Sequence, residues 1–324
     1  MITDTIDSQV TAIKRSSSDS SLGNIFGYTA DEIENVSDIN VSTDSALFAA
    51  IEEFKEYAIN DGTRFKVKYK NKTDIVLTPN EINTLISLEE IFNIESYSSS
   101  WASSYINTIF QNSYNHGYND FNIDTKYLKD IDNLFQDIEA VKERPFNITV
   151  NGNLHHYAFD RSKYVHATIN GNSGANLGFA SRNSSLIING NTQRGLGNLS
   201  KNLTATVLGN VGDDVGNMSY DLVLFLKGNA GKNFGKDSHD LTATVLGNLG
   251  DKLGCGADSM TVAVKSDQLV KLGKHTKLKE FYFSFKHKID LRYQNFNFLT
   301  SNHSTKNKNY IAMMKEIDRR FEEW

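Results

Sequence analysis

A strict 19-residue period constrains the fold of this chain more than any other feature of its sequence. The dipeptide Gly-Asn occurs six times at this spacing, and the word LTATVLGN is spelled at 203–210 and again two periods later at 241–248. In these six copies the asparagines are Asn153, Asn172, Asn191, Asn210, Asn229 and Asn248. Six occurrences in phase indicate a repeat architecture in which each unit is one structural turn.

The rest of the unit repeats in the same phase. With the glycine of Gly-Asn as position 0, glycine returns at +3 and +7 in most units, as in GNVGDDVG at 209–216. Apolar residues alternate at −6, −4 and −2 and recur at +6, which predicts one half-buried β-strand per unit. A strand alone cannot bury its apolar face, so the units must stack. We predict an all-β parallel β-helix of about seven coils over residues 146–285.

The recurring asparagine at +1 has a structural interpretation. Asparagine tolerates the left-handed backbone conformation and can hydrogen-bond to an identical residue in the next turn. We therefore predict an asparagine ladder at the corner after each strand.

The glycine pattern also resembles a known family. GNVGDDVG, GNAGKNFG and GNLGDKLG are similar to the GXGXG right-handed β-helix found at the C-terminus of the glutamate synthase large subunit and in the β-helical subunit of formylmethanofuran dehydrogenase. The resemblance covers residues 146–285. It implies a single-stranded right-handed β-helix that serves as a structural and interface domain, while other domains hold the chemistry.

The flanking segments differ from the repeat in charge and pattern. Residues 1–145 carry 24 acidic and 12 basic side chains, and residues 146–324 carry 15 and 22. We predict a flexible N-terminal segment at 1–28 and an acidic α+β domain at 29–145. Helices are expected from residue 44, from Pro79, near 99–115 and at 124–143. Residues 286–324 are expected to form a basic linker and a C-terminal amphipathic helix.

Candidate catalytic groups are few. The lone Cys255 excludes an internal disulfide and a cysteine-ligated cluster within one chain. His155, His156 and His166 could be ligands of a metal, and Asp213 and Asp214 could form paired carboxylates with Asp251. Capping histidines and ordinary turn chemistry explain both sets, so we predict no catalytic residue, no metal and no cofactor.

Two surfaces are candidates for binding. Val223 and Phe225 point outward between rungs that carry threonine, and together with the apolar face of the C-terminal helix they form a candidate protein interface. The helix residues are Ile311, Met314, Phe321 and Trp324. A basic segment at 265–308 is a candidate polyanion site. Its cations include Lys271, Lys274, Lys277, Lys279, Lys286, Lys288 and Arg292.

These observations favour a non-catalytic scaffold or assembly protein that binds a partner protein or a second copy of itself. One alternative is an RNA- or ribosome-associated factor that uses residues 265–308. Another is an accessory subunit of an enzyme complex, resembling the β-helical subunit of formylmethanofuran dehydrogenase. The sequence has neither a long apolar run nor a signal-peptide core, which predicts a cytoplasmic protein that does not enter a membrane.

Overall fold

The 19-residue units stack into a parallel β-solenoid. The computed structural model, which describes residues 45–60, 73–88, 99–128, 131–264, 271–276, 278–283 and 298–300, places ten strands in one sheet in chain order. Every neighbouring pair is parallel. The strands are β1 (Asp120–Asp124), β2 (Phe146–Asn151), β3 (Val165–Asn170), β4 (Arg182–Ile188), β5 (Lys201–Val207), β6 (Val223–Leu226), β7 (Thr242–Val245), β8 (Met260–Val264), β9 (Leu278–Phe283) and β10 (Phe298–Thr300).

The regular part of the solenoid has about six turns. Each step from β2 to β8 pairs residues 19 apart, as in Val223 with Thr242. A register shift follows between Met260 and Thr261, and the step from β1 to β2 is longer, since Asp120 pairs with Asn147. The parallel solenoid is thus confirmed, with six regular turns and irregular ones at each end instead of about seven coils.

The lumen is filled by side chains in fixed rows. Residues at −6, −4, −2 and +6 are buried in the regular turns, as Leu222, Leu224, Leu226 and Phe234 illustrate with at most 1% exposure. A further inward row lies at +2, where isolated parallel bridges join successive turns. Its members are Leu154, Ser173, Thr192, Val211, Ala230 and Leu249.

A buried row of serines lines one corner of the lumen at +10. Ser162, Ser181, Ser200, Ser219 and Ser238 are at most 1% exposed. Each hydroxyl donates to the carbonyl of the residue three positions earlier at 2.7–2.8 Å. The short polar side chain is therefore satisfied locally, which is the condition for burying it in an apolar lumen.

Glycine is needed at position 0 because the turns approach closely there. A Cβ at Gly209 would lie 2.5 Å from the carbonyl oxygen of Gly190, one turn earlier. The left-handed conformation recurs at +5, +7, +9 and +12. Most +7 positions carry glycine, such as Gly216 at φ 64°, whereas the other three often carry another residue, such as Met218 at φ 54°. The asparagines at +1 are absent from these left-handed positions, so that part of the prediction is wrong.

The sheet begins earlier than the predicted boundary at residue 146. Strand β1 belongs to a first, longer coil that includes residues expected in the acidic α+β domain. The helix predicted at 124–143 is wrong, because residues 132–137 form turns in which Asn133, Phe135 and Asp137 have φ of 57–63°. Ile131, Leu134 and Ile138 are nevertheless buried, as members of this coil.

A helix closes the N-terminal end of the solenoid. In helix α3 (Ser99–Asn115), the Phe110 ring packs edge-on against Phe121, Phe135 and Phe146 at centroid distances of 5.0–5.9 Å. Asn107, Gln111 and Tyr114 of the same helix hydrogen-bond to the backbone of the first coil. Helix α3 therefore covers both the apolar lumen and the polar backbone that the first coil would otherwise expose.

Two further helices precede the cap. Helix α1 spans Ala46–Asn60 and helix α2 spans Pro79–Ile86. By its internal contacts, the chain divides into two units, residues 1–49 and 50–324. Helix α2 starts with a capping box of Thr78 and Glu81 and buries Ile82, Leu85 and Ile86. None of the described helices is long and apolar enough to cross a membrane. The predicted N-terminal segment 1–28 and C-terminal helix lie outside the described residues.

Candidate binding surface on the outer face of the sheet

The outer face of the sheet is formed by the residues at −5 and −3 of each strand. Since successive side chains of a strand alternate between faces, these positions point away from the lumen. Along β2 to β8 the −5 row is Asn147, His166, Ser185, Thr204, Val223, Thr242 and Thr261, and the −3 row is Thr149, Thr168, Ile187, Thr206, Phe225, Thr244 and Ala263. From β2 to β5 the outer face is therefore polar except at Ile187, and at β6 both outward residues are apolar.

The structure places Val223 and Phe225 on this face, as the sequence predicts. Val223 pairs in register with Thr204 and Thr242, and Phe225 pairs with Thr206 and Thr244. Both apolar side chains are partly buried, and Thr244 beside Phe225 is only 6% exposed. The other candidate interface residues, Ile311, Met314, Phe321 and Trp324, lie outside the described residues.

A groove crosses the outer face of β1 to β4. Its volume is about 560 Å³, and Pro79 and Asn80 at the start of α2 also line it. The outward side chains that line it are Asp120, Asn122, Asn147, Thr149, His166, Thr168, Ser185 and Ile187. Sequence reasoning missed this groove, because it did not place β1 in the sheet or α2 beside it.

Hydrogen bonds order part of the groove wall. Asn147 donates from Nδ2 to Asp120 at 2.7 Å, and Asn151 donates to Asn122 at 2.8 Å. Strand β1 is further held by the Asn83 side chain of α2, which accepts from the backbone N–H of Asp124 at 2.9 Å. Part of the groove wall is therefore formed by side chains and backbone groups that hydrogen-bond to one another.

The asparagines at +1 lie above one another on the exposed corner of the solenoid. From Asn172 to Asn248, each backbone N–H donates to the Oδ1 of the asparagine one turn earlier at 2.7–2.8 Å. In three steps the side-chain Nδ2 also approaches that oxygen, at 3.1–3.4 Å. This ladder of hydrogen bonds joins each turn to the next, so the asparagines have a structural role.

Asp132, His155 and His156 form a cluster that resembles a metal-binding group. Asp132 Oδ1 is hydrogen-bonded to Nδ1 of His155 and accepts from the backbone N–H of His156 at 3.1 Å. His156 Nδ1 accepts from the backbone N–H of Ala175 at 2.9 Å. A neutral imidazole that accepts at Nδ1 carries its proton on Nε2, so in this arrangement the ring of His156 offers a metal no lone pair.

The other polar candidates do not converge on one site. His166 lies in the groove, on the outer face of β3. Asp213 pairs with Lys232 at 3.6 Å and Asp251 pairs with Lys271 at 3.0 Å, so each of these turn carboxylates has its own cation. The two carboxylates lie two turns apart, and Lys232 of the turn between them pairs with Asp213.

The basic segment is described only in part. Lys271 and Lys274 are exposed. Lys277, Lys286, Lys288 and Arg292 lie outside the described residues, and of Lys279 only its place in β9 is described.

The chain matches no family model, no curated protein and no solved structure.

Proposed function

We propose that this protein is a non-catalytic scaffold that binds a partner protein, or a second copy of itself, through the outer face of its sheet at strand β6. The observation that supports the proposal is a change from polar to apolar side chains on the outer face of one turn. Val223 and Phe225 stand where the turns on either side carry Thr204 with Thr206 and Thr242 with Thr244. The inward residues of the three strands stay apolar throughout.

Apolar side chains on a flat outer β-face favour association because burying them against another surface removes apolar area from water. The solenoid suits this role, since strands joined by a continuous parallel ladder form a rigid platform. The turns on both sides carry threonine at these two positions, so a strand in this register can be built without valine and phenylalanine. A partner that packs on this turn would use both side chains.

The test replaces both residues by threonine, giving Val223→Thr with Phe225→Thr. The resulting turn carries the same outward pair as its neighbours, so the fold should be retained. Tagged wild-type and variant proteins are compared by affinity purification from native lysate with quantitative mass spectrometry, and by sedimentation for self-association. We expect the wild-type protein to retain a partner or to form a dimer. The double variant should do so at about a tenth of the wild-type level.

Thr204→Ser with Thr206→Ser is the matched control on the adjacent turn, and it should retain the partner. A wild-type protein that is monomeric and retains nothing would overturn the proposal. Retention by the double variant equal to that of wild type would do the same.

The RNA-binding alternative at residues 265–308 and the accessory-subunit alternative remain predictions. The ion pair of Lys271 with Asp251 reduces the positive charge that Lys271 offers to a polyanion.

A further inference from the structure

One corner of the solenoid carries the outward residues at +9, +11 and +12, on either side of the buried row at +10. We call it the charged corner, because it is basic along the first three regular turns and acidic along the next three. At these positions the basic half has no acidic residue, and the acidic half has no lysine or arginine. The cations are Arg161, Lys163, Arg182 and Lys201, and the carboxylates are Asp221, Asp237, Asp240 and Asp258.

This separation of charge is unfavourable within a single chain. The +11 row runs in unbroken parallel register through the six turns, so Lys163, Arg182 and Lys201 lie directly above one another, about 4.8 Å apart. Like charges in register destabilise a sheet. Within the described residues, neither Arg182 nor Lys201 forms an ion pair, and the same holds for Asp221 and Asp240.

The row at +4 shows how the same chain neutralises charges elsewhere. There Arg194, Asp213, Lys232 and Asp251 alternate in sign from turn to turn. Asp213 pairs with Lys232 at 3.6 Å, and Asp251 pairs with Lys271 at 3.0 Å. The charged corner lacks this alternation, so its best complement is a surface with the opposite order of charges.

An apolar patch lies where the two halves of the charged corner meet. Leu199 and Met218 are each 45% exposed on adjacent turns, and Tyr220 is 50% exposed beside Met218. The patch holds three of the six large apolar side chains that are exposed in the described part of the chain. Met218 and Tyr220 also share their turn with Val223 and Phe225 of the β6 surface. Exposed apolar groups concentrated in this way are typical of an interaction site.

We propose that the charged corner binds the same corner of a second copy, in antiparallel orientation, about a two-fold axis that passes between Leu199 and Met218. Such an axis reverses the order of the turns, so each basic turn lies opposite an acidic turn and the two apolar patches meet at the centre. This inference rests on the proposed function, because it names the partner with which the apolar turn associates. The facing pairs, each a cation of one copy and a carboxylate of the other, are Lys201 with Asp221, Arg182 with Asp240, and Lys163 with Asp258.

A partner of a single charge fits the charged corner less well. A nucleic acid or an anionic lipid surface would be attracted by the basic half and repelled by Asp221 and Asp240. Asp237 is partly neutralised by Lys236 at 3.7 Å, which leaves the acidic half negative overall. A second copy matches both halves, because the two-fold axis presents each half with its opposite.

The test is a charge exchange, measured by sedimentation velocity on the full-length protein. Wild type should form a dimer that weakens as the ionic strength rises. Arg182→Glu with Lys201→Glu should weaken the dimer about tenfold or more, because the two-fold axis makes each change act twice. Asp221→Lys with Asp240→Lys should weaken it to a similar extent.

An equimolar mixture of the two double variants tests the orientation. In the mixed dimer every altered charge faces an altered charge of opposite sign, and every unaltered charge keeps its complement. The mixture should therefore dimerise with about the wild-type affinity. Recovery of the dimer also shows that both variants are folded.

Arg194→Glu with Lys227→Glu is the matched control. It changes the net charge by the same amount as the first variant, at two exposed positions outside the charged corner. This control should dimerise as wild type does.

A wild-type protein that stays monomeric at about 0.1 mM overturns the proposal. A dimer that both double variants retain, or a mixture that does not recover it, overturns the proposal as well. Binding of single-stranded RNA by a monomer through Arg182 and Lys201 would favour a polyanion instead.

The β6 variant, Val223→Thr with Phe225→Thr, separates this proposal from the scaffold proposal. If that variant loses the dimer while the charge variants keep it, the association lies at β6 alone and the charged corner is not an interface. A monomeric wild type that captures a partner protein through β6 would likewise overturn only the charged corner and leave the proposed function standing.

Discussion

The side chain of Asn107 in α3 accepts a 2.6 Å hydrogen bond from the backbone N–H of Phe135. The same amide donates to the carbonyl of Asn133 at 2.8 Å. One helical turn later, Gln111 makes the equivalent pair with the N–H and C=O of Glu139, at 2.8 and 3.1 Å. Side-chain amides thus satisfy the backbone groups that a preceding turn of the solenoid would otherwise satisfy.

Replacing Asn107 by alanine should destabilise the protein by about 1–3 kcal/mol, because Phe135 is fully buried and its N–H would lose its partner. The measurement is urea unfolding followed by circular dichroism. Asn80→Ala, at an exposed position of α2, is the control and should lie within about 0.5 kcal/mol of wild type. Equal effects of the two variants would contradict the assigned role of the amide.

Replacing Thr192 by valine should stabilise the protein by about 1 kcal/mol. The Thr192 hydroxyl is buried without a hydrogen-bond partner in the described structure. The next turn already carries Val211 at the equivalent position, paired with Thr192, which shows that valine fits. The midpoint of urea unfolding is the readout, and Thr204→Val on the exposed outer face should change it little. A loss of stability in Thr192→Val would show that the hydroxyl has a partner.

Replacing Met218 by asparagine should raise the free energy of unfolding by about 1 kcal/mol, because L-residues other than asparagine and glycine are disfavoured in the left-handed region. Met218 has φ 54° and is 45% exposed, so the change removes little apolar burial. The equivalent residue of the last regular turn is already Gly256 at φ 75°. In thermal unfolding, Met218→Asn should have a higher melting temperature than wild type, and the control Met218→Leu should not. Equal melting temperatures of the two variants would argue against backbone strain.

The stability of Asp160→Asn relative to wild type should depend on pH. Burial raises the pKa of Asp160 above its ordinary value of 3.8; the Arg161 guanidinium opposes this rise and Asp137 adds to it. The folded state therefore binds the proton more tightly than the unfolded state does. Wild-type stability falls as pH rises from 3.8 through the raised pKa.

Asparagine does not titrate in this window, so the free energy of unfolding of the variant should rise relative to that of wild type as the pH increases. This difference in free energy should become constant above the raised pKa of Asp160. Urea unfolding over a pH series from about 3 to 7 measures the effect. A difference that stays constant over the series would contradict the burial of this charge.

The sequence was sufficient to predict the parallel solenoid, because residues such as Leu203, Leu222 and Leu241 recur in one inward row without a break. The row of buried serines from Ser162 to Ser238 has the same spacing and is visible when the units are aligned. Its polar character conceals it, since a core is recognised in a sequence by its apolar residues.

The first coil could not be recognised from its period, because it departs from 19 residues. The spacing of its apolar residues predicts a helix, because the inward residues of a solenoid turn are spaced in the same way as one face of a helix. In the first regular turn the inward residues after β2 are Leu154, Ala158 and Ser162, followed by Val165 at the start of β3, with spacings of four, four and three. That spacing is also typical of one face of an α-helix. Tyr127, Ile131, Leu134 and Ile138 are likewise spaced by three or four residues, so the apolar pattern alone could not separate the two structures.

The groove could not be predicted, because it depends on where α2 lies relative to β1. Nothing in the spacing of Pro79, Asn80 and Asp120 places these residues side by side. The outward position of Val223 and Phe225, in contrast, follows from strand alternation alone.

Because successive strands pair at a constant 19-residue offset, the regular part of the solenoid consists of a whole number of turns. Removing residues 209–227 would join Leu208 directly to Gly228, restore the word VLGN, and bring Thr204–Val207 into register with Thr242–Val245, an identical TATV segment. Every remaining turn would keep the neighbours that it needs in order to fold. Genetic duplication or loss of one unit would therefore lengthen or shorten the protein without redesigning it, and would add or delete the apolar β6 turn in a single event.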